Sequence, residues 1–150
     1  MRVPVHLLKL AVGVESVEDF RQRLKKRAQE NRSSGAHGKK PGYFTHITRH
    51  RPKRDAEVLD GGSLYWIVKG QLCVRTRILA LDEVKLDDGL HCAIKLEAKL
   101  IPVLPQPRRP HQGWRYLEDA DAPPDVAKAG AGAADLPDKL LRELREAGLL

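Results

Sequence analysis

The stretch GGSLYWIVKG, residues 61–70, decides the fold of this chain. Two glycines lead into a short apolar and aromatic run, and a Lys-Gly pair that suits a tight turn ends it. Alternation along the predicted strand places Leu64 and Trp66 on one face and Tyr65 and Lys69 on the other. We expect the first face to lie in the core, which leaves the second face to meet any ligand.

Two more strands are predicted after this one, over residues 71–84 and 91–104. Asp88-Gly89 between them fits a type I′ turn, which joins antiparallel neighbours. The first of these strands is expected to place Leu72 on the core face and Cys73 on the opposite face. The three strands would form an antiparallel meander.

The N-terminal part supplies two strands and a helix. VHLLKLAVG and YFTHITR are rich in β-branched, aromatic and leucine residues and predict strands over 5–13 and 43–49. Between them, Ser16 is a suitable N-cap, with Asp19 in the capping-box position of a helix over 16–32. We therefore predict an α+β fold: a small antiparallel β-barrel or strongly curled sheet with an N-terminal helix and a C-terminal helix.

The chain is predicted to hold one domain and a tail. Residues 1–117 form the single β-rich domain, in which the proline-rich segment 105–117 is a loop or an edge segment. Residues 118–134 are rich in alanine and glycine and predict a flexible linker. Residues 135–150 carry leucines at helical spacing and predict an amphipathic C-terminal helix.

Charge is unevenly spread along the sequence. The net charge is +7, but residues 21–54 hold twelve Lys/Arg and one acid, a net of +11. Residues 117–150 hold eight acids and four bases, a net of −4. A basic front half favours a polyanion partner, although a solvated basic surface is the simpler alternative.

Several classes of protein find no support in the sequence. The N-terminus lacks the apolar core of a signal peptide, and no apolar run approaches the ~20 residues of a membrane span. Cys73 and Cys92 form no CxxC pair and are expected to be buried thiols, so we expect a cytoplasmic protein. His46 and His50 lack the further ligands of a metal site, and no cofactor motif is present.

Two segments carry the residue types that bind nucleic acid. Residues 45–54 are dense in cations for phosphates, and residues 108–117 mix cations with aromatic rings on which bases stack. The exposed face of the meander adds Tyr65 and its neighbours. The predicted nucleic-acid-binding residues are Thr48, Arg49, Arg51, Lys53, Arg54, Tyr65, Lys69, Arg75, Arg77, Arg108, Arg109, Trp114 and Arg115. We expect RNA rather than duplex DNA as the partner.

Two alternatives stay open. The chain could be an enzyme acting on RNA or a nucleotide, with Lys69, His50 or His111 as acid/base groups. No catalytic motif supports this, so no catalytic residue is assigned. It could also be a protein-interaction module that docks a partner through the leucine-rich helix 135–150.

Three blocks in a fixed order carry a family resemblance. HLLKLAVGVESVEDF, TRHRPKRDAEVLDGGSLYWIVKG and RRPHQGWRYL together resemble an alphaproteobacterial family, domain of unknown function 1489, over about Val5 to Leu117. In its strand pattern the chain is also similar to the small barrels of the PUA, ASCH and EVE group. That likeness implies a barrel fold and binding of RNA or modified bases.

Overall fold

The computed structural model describes residues 3–30, 42–127, 142, 145 and 146 of the 150-residue chain. Strands and helices alternate in its first half, and strands follow one another in its second, so the α+β class is confirmed. In chain order the elements are β1 (Val5–Leu10), α1 (Val17–Glu30), β2 (Tyr43–Thr48), α2 (Asp55–Leu59), β3 (Ser63–Val68), β4 (Gln71–Leu86), β5 (Gly89–Glu97), β6 (Ile101–Pro107), β7 (Trp114–Glu118) and a short 3-10 turn (Asp119–Asp121).

The strands form one mixed sheet. Its order is β2-β5-β4-β3-β1-β7, and β6 pairs with β4 beside this path. β1 runs parallel to β3, whereas the other pairs are antiparallel, so the predicted fully antiparallel arrangement is wrong at β1. No ladder joins the end strands β2 and β7 within the described residues. The sheet is therefore open there.

The structure divides the predicted strand 91–104 and the predicted loop or edge segment 105–117 differently. The first becomes β5 and the start of β6, and the second contains the rest of β6 and all of β7. β6 tolerates its prolines because, among the described strands, it pairs only with β4, and its other edge carries just an isolated bridge between Val103 and Asp125. β7 is a strand because it pairs with β1 over five residues, from Val5↔Glu118 to Lys9↔Trp114.

Two tight turns hold the predicted meander β3-β4-β5 together. Lys69 and Gly70 have φ of 50° and 78°, and positive φ at both central residues is the requirement of a type I′ turn. The second turn lies one residue earlier than predicted, because Leu86 pairs with Gly89. Gly89 carries a φ of 123°, which favours glycine.

Helix α1 covers one face of the sheet as its sequence predicts. The Ser16 hydroxyl accepts a hydrogen bond from the Asp19 N–H at 3.0 Å, which confirms the N-cap. Phe20 and Leu24 are buried on the predicted apolar face. No helix in the described ranges is long and apolar enough to cross a membrane.

The two faces of β3 lie in different cores. Leu64 and Trp66 join the main core beneath α1, as predicted. Tyr65 and Ile67 are also buried, in a second core on the opposite face, so β3 is a central strand that is buried on both faces.

A register shift in β4 exchanges two predicted orientations. Cys73 faces the main core and Leu72 the second core, the reverse of the expectation. The cause is an irregularity in both neighbouring ladders, between Trp66 and Ile67 on β3 and between Leu72 and Val74 on β4. One extra residue in a strand interrupts the alternation and bends the sheet.

The segment after β7 packs against the sheet. Residues 118–127, assigned to the predicted linker, contain the 3-10 turn and a bridge between Asp125 and Val103. Val126 is buried in the main core. Most of the predicted helix 135–150 lies outside the described residues; residues 142, 145 and 146 are helical and exposed.

Candidate nucleic-acid interface

The structure brings together the two segments that the sequence analysis selected. The Trp114 indole Nε1 donates to the backbone oxygen of His50 at 2.9 Å. The Tyr116 hydroxyl accepts from the Arg54 backbone N–H at 3.1 Å, and the Arg54 guanidinium lies 5.4 Å from the centre of the Tyr116 ring. We call this contact between residues 48–54 and 114–118 the seam.

The three arginines of the seam that follow β2 already hold carboxylates. Arg49 lies 3.8 Å from Asp88, and Arg51 lies 3.1 Å from Asp55. Arg54 is the most strongly held, because hydrogen bonds with Glu57 and Glu118, each at 2.7 Å, raise its pKa. A phosphate would have to displace these carboxylates. The seam therefore serves mainly to hold β7 against the segment after β2.

Three other predicted residues are largely withdrawn from solvent. Tyr65 is 5% exposed and packs edge-on against His6 at 5.1 Å between ring centres, and its burial raises the pKa of its hydroxyl to about 12. Thr48 is buried and donates to the His50 backbone oxygen. Arg75 is held by a carboxylate. Stacking on Tyr65 would require the second core to open.

A polar cluster missed by the sequence analysis surrounds Arg75. Its guanidinium donates to both carboxylate oxygens of Asp125 at 2.8 and 2.9 Å, and to the Ser63 hydroxyl at 2.7 Å. Beside it, His6 Nδ1 accepts from the Ser63 N–H at 3.0 Å, so Nε2 carries the proton and donates to Asp119 at 2.8 Å. The polar groups of this cluster satisfy one another, and all of them except Ser63 line a cavity of about 330 Å³.

A larger cavity of about 460 Å³ lies between α1, β1 and β2. Its floor is apolar, with Phe20, Phe44 and Trp66 from the main core. Its cationic lining consists of Lys9, Arg23, Lys26 and Arg27. We call it the basic cavity. None of these four cations is among the predicted nucleic-acid-binding residues.

Two histidines near Lys9 have unusual surroundings. His46 lines the basic cavity edge-on to Trp66 at 5.4 Å, and burial, together with the charges of Lys9 and Arg27, lowers its pKa to about 4. The pKa of His111 is also lowered. Burial is the largest cause, and the positive charges of Arg115 and Lys9 add to it. His46 Nε2 and both ring nitrogens of His111 are the buried side-chain N/O atoms without a hydrogen-bond partner in the described part of the chain.

Further predicted cations lie at the same end of the sheet. The Arg108 N–H donates to the Gly70 oxygen at 2.9 Å, which places Arg108 beside the β3–β4 turn. In that turn, Lys69 lies 2.7 Å from Glu15. This end of the sheet, where β1 and β3 finish and β7 begins, also bears the basic cavity, and we call it the basic end. Arg109 follows Arg108, and Arg115 pairs with Leu8 of β1.

The cations of the basic end differ from those of the seam in their partners. Among the side chains that the structure describes in residues 3–28 and 42–127, a group of them has no carboxylate within 4.0 Å: Lys9, Lys26, Arg27, Arg108, Arg109 and Arg115. Lys26, Arg109 and Arg115 are exposed. Such cations are available to an incoming anion. Lys53 and Arg77 are also exposed and unpaired in these ranges, but they lie outside the basic end.

The acid/base candidates of the enzyme alternative do not form a site. Lys69 belongs to the β3–β4 turn, His50 follows β2, and His111 precedes β7. No side-chain hydrogen bond joins any two of them in the described residues. The same part of the chain contains no group of three His, Cys, Asp or Glu side chains able to hold a metal ion.

The low pKa of the half-buried His46 side chain predicts a pH dependence of stability. Its pKa is about 4 in the folded chain and 6.5 ordinarily, so the unfolded chain binds more protons between these values. The free energy of unfolding should therefore fall as pH falls from 7 to 5, by about 2 kcal/mol more in the wild type than in His46→Phe. Urea unfolding of both proteins at pH 7 and pH 5 measures this. Equal losses in the two proteins would contradict it.

Comparisons with known proteins give a family and no function. A search of the curated proteins found no match, and a search of the solved structures found none. The likeness to PUA, ASCH and EVE barrels therefore stays a prediction. One family model, described as protein of unknown function (DUF1489), matches residues 7–150, further toward the C-terminus than the resemblance read from the sequence. Because the match spans most of the chain, this protein belongs to the DUF1489 family.

Proposed function

We propose that this chain binds single-stranded nucleic acid, RNA rather than duplex DNA, at the basic end. The observation that carries the proposal is the group of cations without carboxylate partners around the basic cavity. A backbone phosphate meets no competing carboxylate there, whereas at the seam it would compete with Asp55, Glu57 and Glu118.

The preference for a single strand follows from the shape of the surface. A cavity of about 460 Å³ has room for one unpaired base, whereas a duplex keeps its bases inside the helix. Trp114 is half-buried next to Lys9 in the β1–β7 register and lies edge-on to Tyr116 at 4.9 Å. Its ring is the best-placed of the predicted aromatics to stack on a base. The predicted likeness to RNA-binding barrels supports the same partner.

The salt dependence of RNA binding tests the proposal. Each phosphate contact to a single strand releases counterions and contributes about 0.7 to the slope of log affinity against log salt. Lys26→Gln/Arg109→Gln should lower the magnitude of this slope by about 1.4, because both side chains are exposed at the basic end. Fluorescence anisotropy with a labelled uridine-rich oligonucleotide, between about 50 and 200 mM salt, measures it.

Lys53→Gln/Arg77→Gln is the matched control. Like the first double variant, it removes one lysine and one arginine charge, but from exposed positions outside the basic end. Its slope should stay that of the wild type, and a duplex DNA of equal length should bind more weakly than the RNA. The proposal would be contradicted if the slope of log affinity against log salt became smaller in Lys53→Gln/Arg77→Gln but not in Lys26→Gln/Arg109→Gln. It would also be contradicted if the affinity for RNA did not change with salt.

A further inference from the structure

We infer that the basic cavity is a nucleotide subsite, which takes a heterocyclic ring on its apolar floor and the attached phosphate at Lys9. The inference deepens the proposed function, since the terminal nucleotide of a bound strand is one source of such a group. A free mononucleotide is the other source. A phosphorylated strand end and a free mononucleotide present the same chemistry, a phosphomonoester on a ribose that carries a planar polar ring.

The floor of the cavity favours a flat ring. Phe20 and His46 both pack edge-on against Trp66, at 4.9 and 5.4 Å, and all three line the cavity. The Trp66 Nε1 already donates to the Thr76 hydroxyl at 3.0 Å, so the indole offers only apolar surface. A planar group inserted here would replace water along aromatic and aliphatic side chains.

The histidines favour a ring with polar atoms over a hydrocarbon chain. His46 Nε2 has no hydrogen-bond partner among the described residues, and a buried polar atom left unpaired costs free energy. His46 is neutral at pH 7, because its pKa is lowered to about 4, and a neutral imidazole has both a donor and an acceptor nitrogen. Ring nitrogens and exocyclic groups of a nucleobase can pair with it, whereas an acyl chain cannot.

Lys9 places a positive charge where the ring ends. Its position follows the core residues Val5 and Leu7 on the α1 face of β1, so an ammonium stands where a third apolar residue would continue the core. Burial lowers the pKa of Lys9, and within the described residues no carboxylate lies within 4.0 Å of it. Arg27 and Lys26 line the same cavity. A phosphate is the natural partner of this cluster.

Intrinsic fluorescence tests the inference directly. The chain has two tryptophans, so Trp114→Phe leaves Trp66 as the sole reporter inside the cavity. In this background, uridine or adenosine monophosphate should quench Trp66 saturably, and the parent nucleosides and inorganic phosphate should bind about tenfold more weakly. Lys9→Gln should weaken nucleotide binding about tenfold, and Lys53→Gln should leave it unchanged. Thermal unfolding confirms that each variant is folded.

A second pair of variants and ligands separates the outcomes. Lys26→Gln, at an exposed position, should weaken the nucleotide even if Lys9→Gln fails to fold. Preference for a 5′- or 3′-phosphorylated oligonucleotide over its unphosphorylated form would support a strand end as the source; equal affinity, with mononucleotides still bound, would support the free nucleotide.

Failure of every nucleotide to quench Trp66, with RNA still bound, would overturn the subsite and leave the proposed function standing. Tighter binding of dodecanoate, or of inorganic phosphate, would also overturn it.

Discussion

Gly62→Ala is expected to destabilise the fold by about 3 kcal/mol or more, or to prevent folding. A Cβ at this position would lie 2.3 Å from the backbone oxygen of Val58 and 2.5 Å from that of Val5. Neither oxygen belongs to a flexible side chain. The backbone here is also fixed by hydrogen bonds from the Gly62 N–H to Val58 and from the Ile78 N–H to Gly62. Urea unfolding followed by circular dichroism measures the loss.

Gly61→Ala is the matched control for this prediction. A Cβ on Gly61 meets nothing within 4 Å, but the φ of +93° is unfavourable for alanine. We expect a loss of about 1–2 kcal/mol from the backbone conformation alone. A similar loss of unfolding free energy in both variants would show that β1, α2 and β3 can move apart to admit a methyl group at position 62.

Asp125→Asn should cost about 3 kcal/mol of the free energy of unfolding. The side chains of Arg75 and Asp125 are only 13% and 12% exposed, and two hydrogen bonds join them. Loss of the carboxylate leaves a largely buried guanidinium without its counter-charge. An uncompensated buried charge costs more free energy than removal of both partners of the ion pair. Chemical unfolding monitored by circular dichroism would give the value.

The double variant Arg75→Met/Asp125→Leu distinguishes charge from packing. Removal of both partners eliminates the unpaired charge, so more than half of the lost stability should return. A double variant as unstable as the single one would instead show that the side-chain hydrogen bonds of Arg75 to Asp125 and Ser63 stabilise the fold beyond the balance of charge. A single variant within about 0.5 kcal/mol of the wild type would show that water already screens the pair.

The local elements were predictable because their signals lie in short windows. Ser16 and Asp19 identify the start of α1, and the tight Lys69-Gly70 turn follows the apolar strand around Trp66. The segment that contains β7 was predicted only as a loop or an edge segment, because its partner, β1, lies more than a hundred residues earlier in the sequence. The exchange of Leu72 and Cys73 was missed because a bulge depends on the neighbouring strand and has no sequence signal of its own.

The candidate site was predictable only in part. The seam segments were selected for their composition, but the acidic residues that neutralise them, such as Glu118, approach only through the fold. The basic cavity combines side chains from four elements, so no single window shows it. One signal was available: Lys9 follows Val5 and Leu7 at the spacing of a core face, and a cation at such a position indicates a polar opening in the core.

The central position of β1 has a consequence for biosynthesis. Its parallel neighbour β3 and its antiparallel neighbour β7 are made long after it, since Leu7 pairs with Leu64 on one side and Tyr116 on the other. The nascent chain therefore exposes a leucine-rich strand whose two edges are unpaired, and translation must pass residue 118 before β7 can pair with the second edge. Unpaired strand edges promote aggregation, so we expect the nascent chain to need chaperones until β7 emerges from the ribosome.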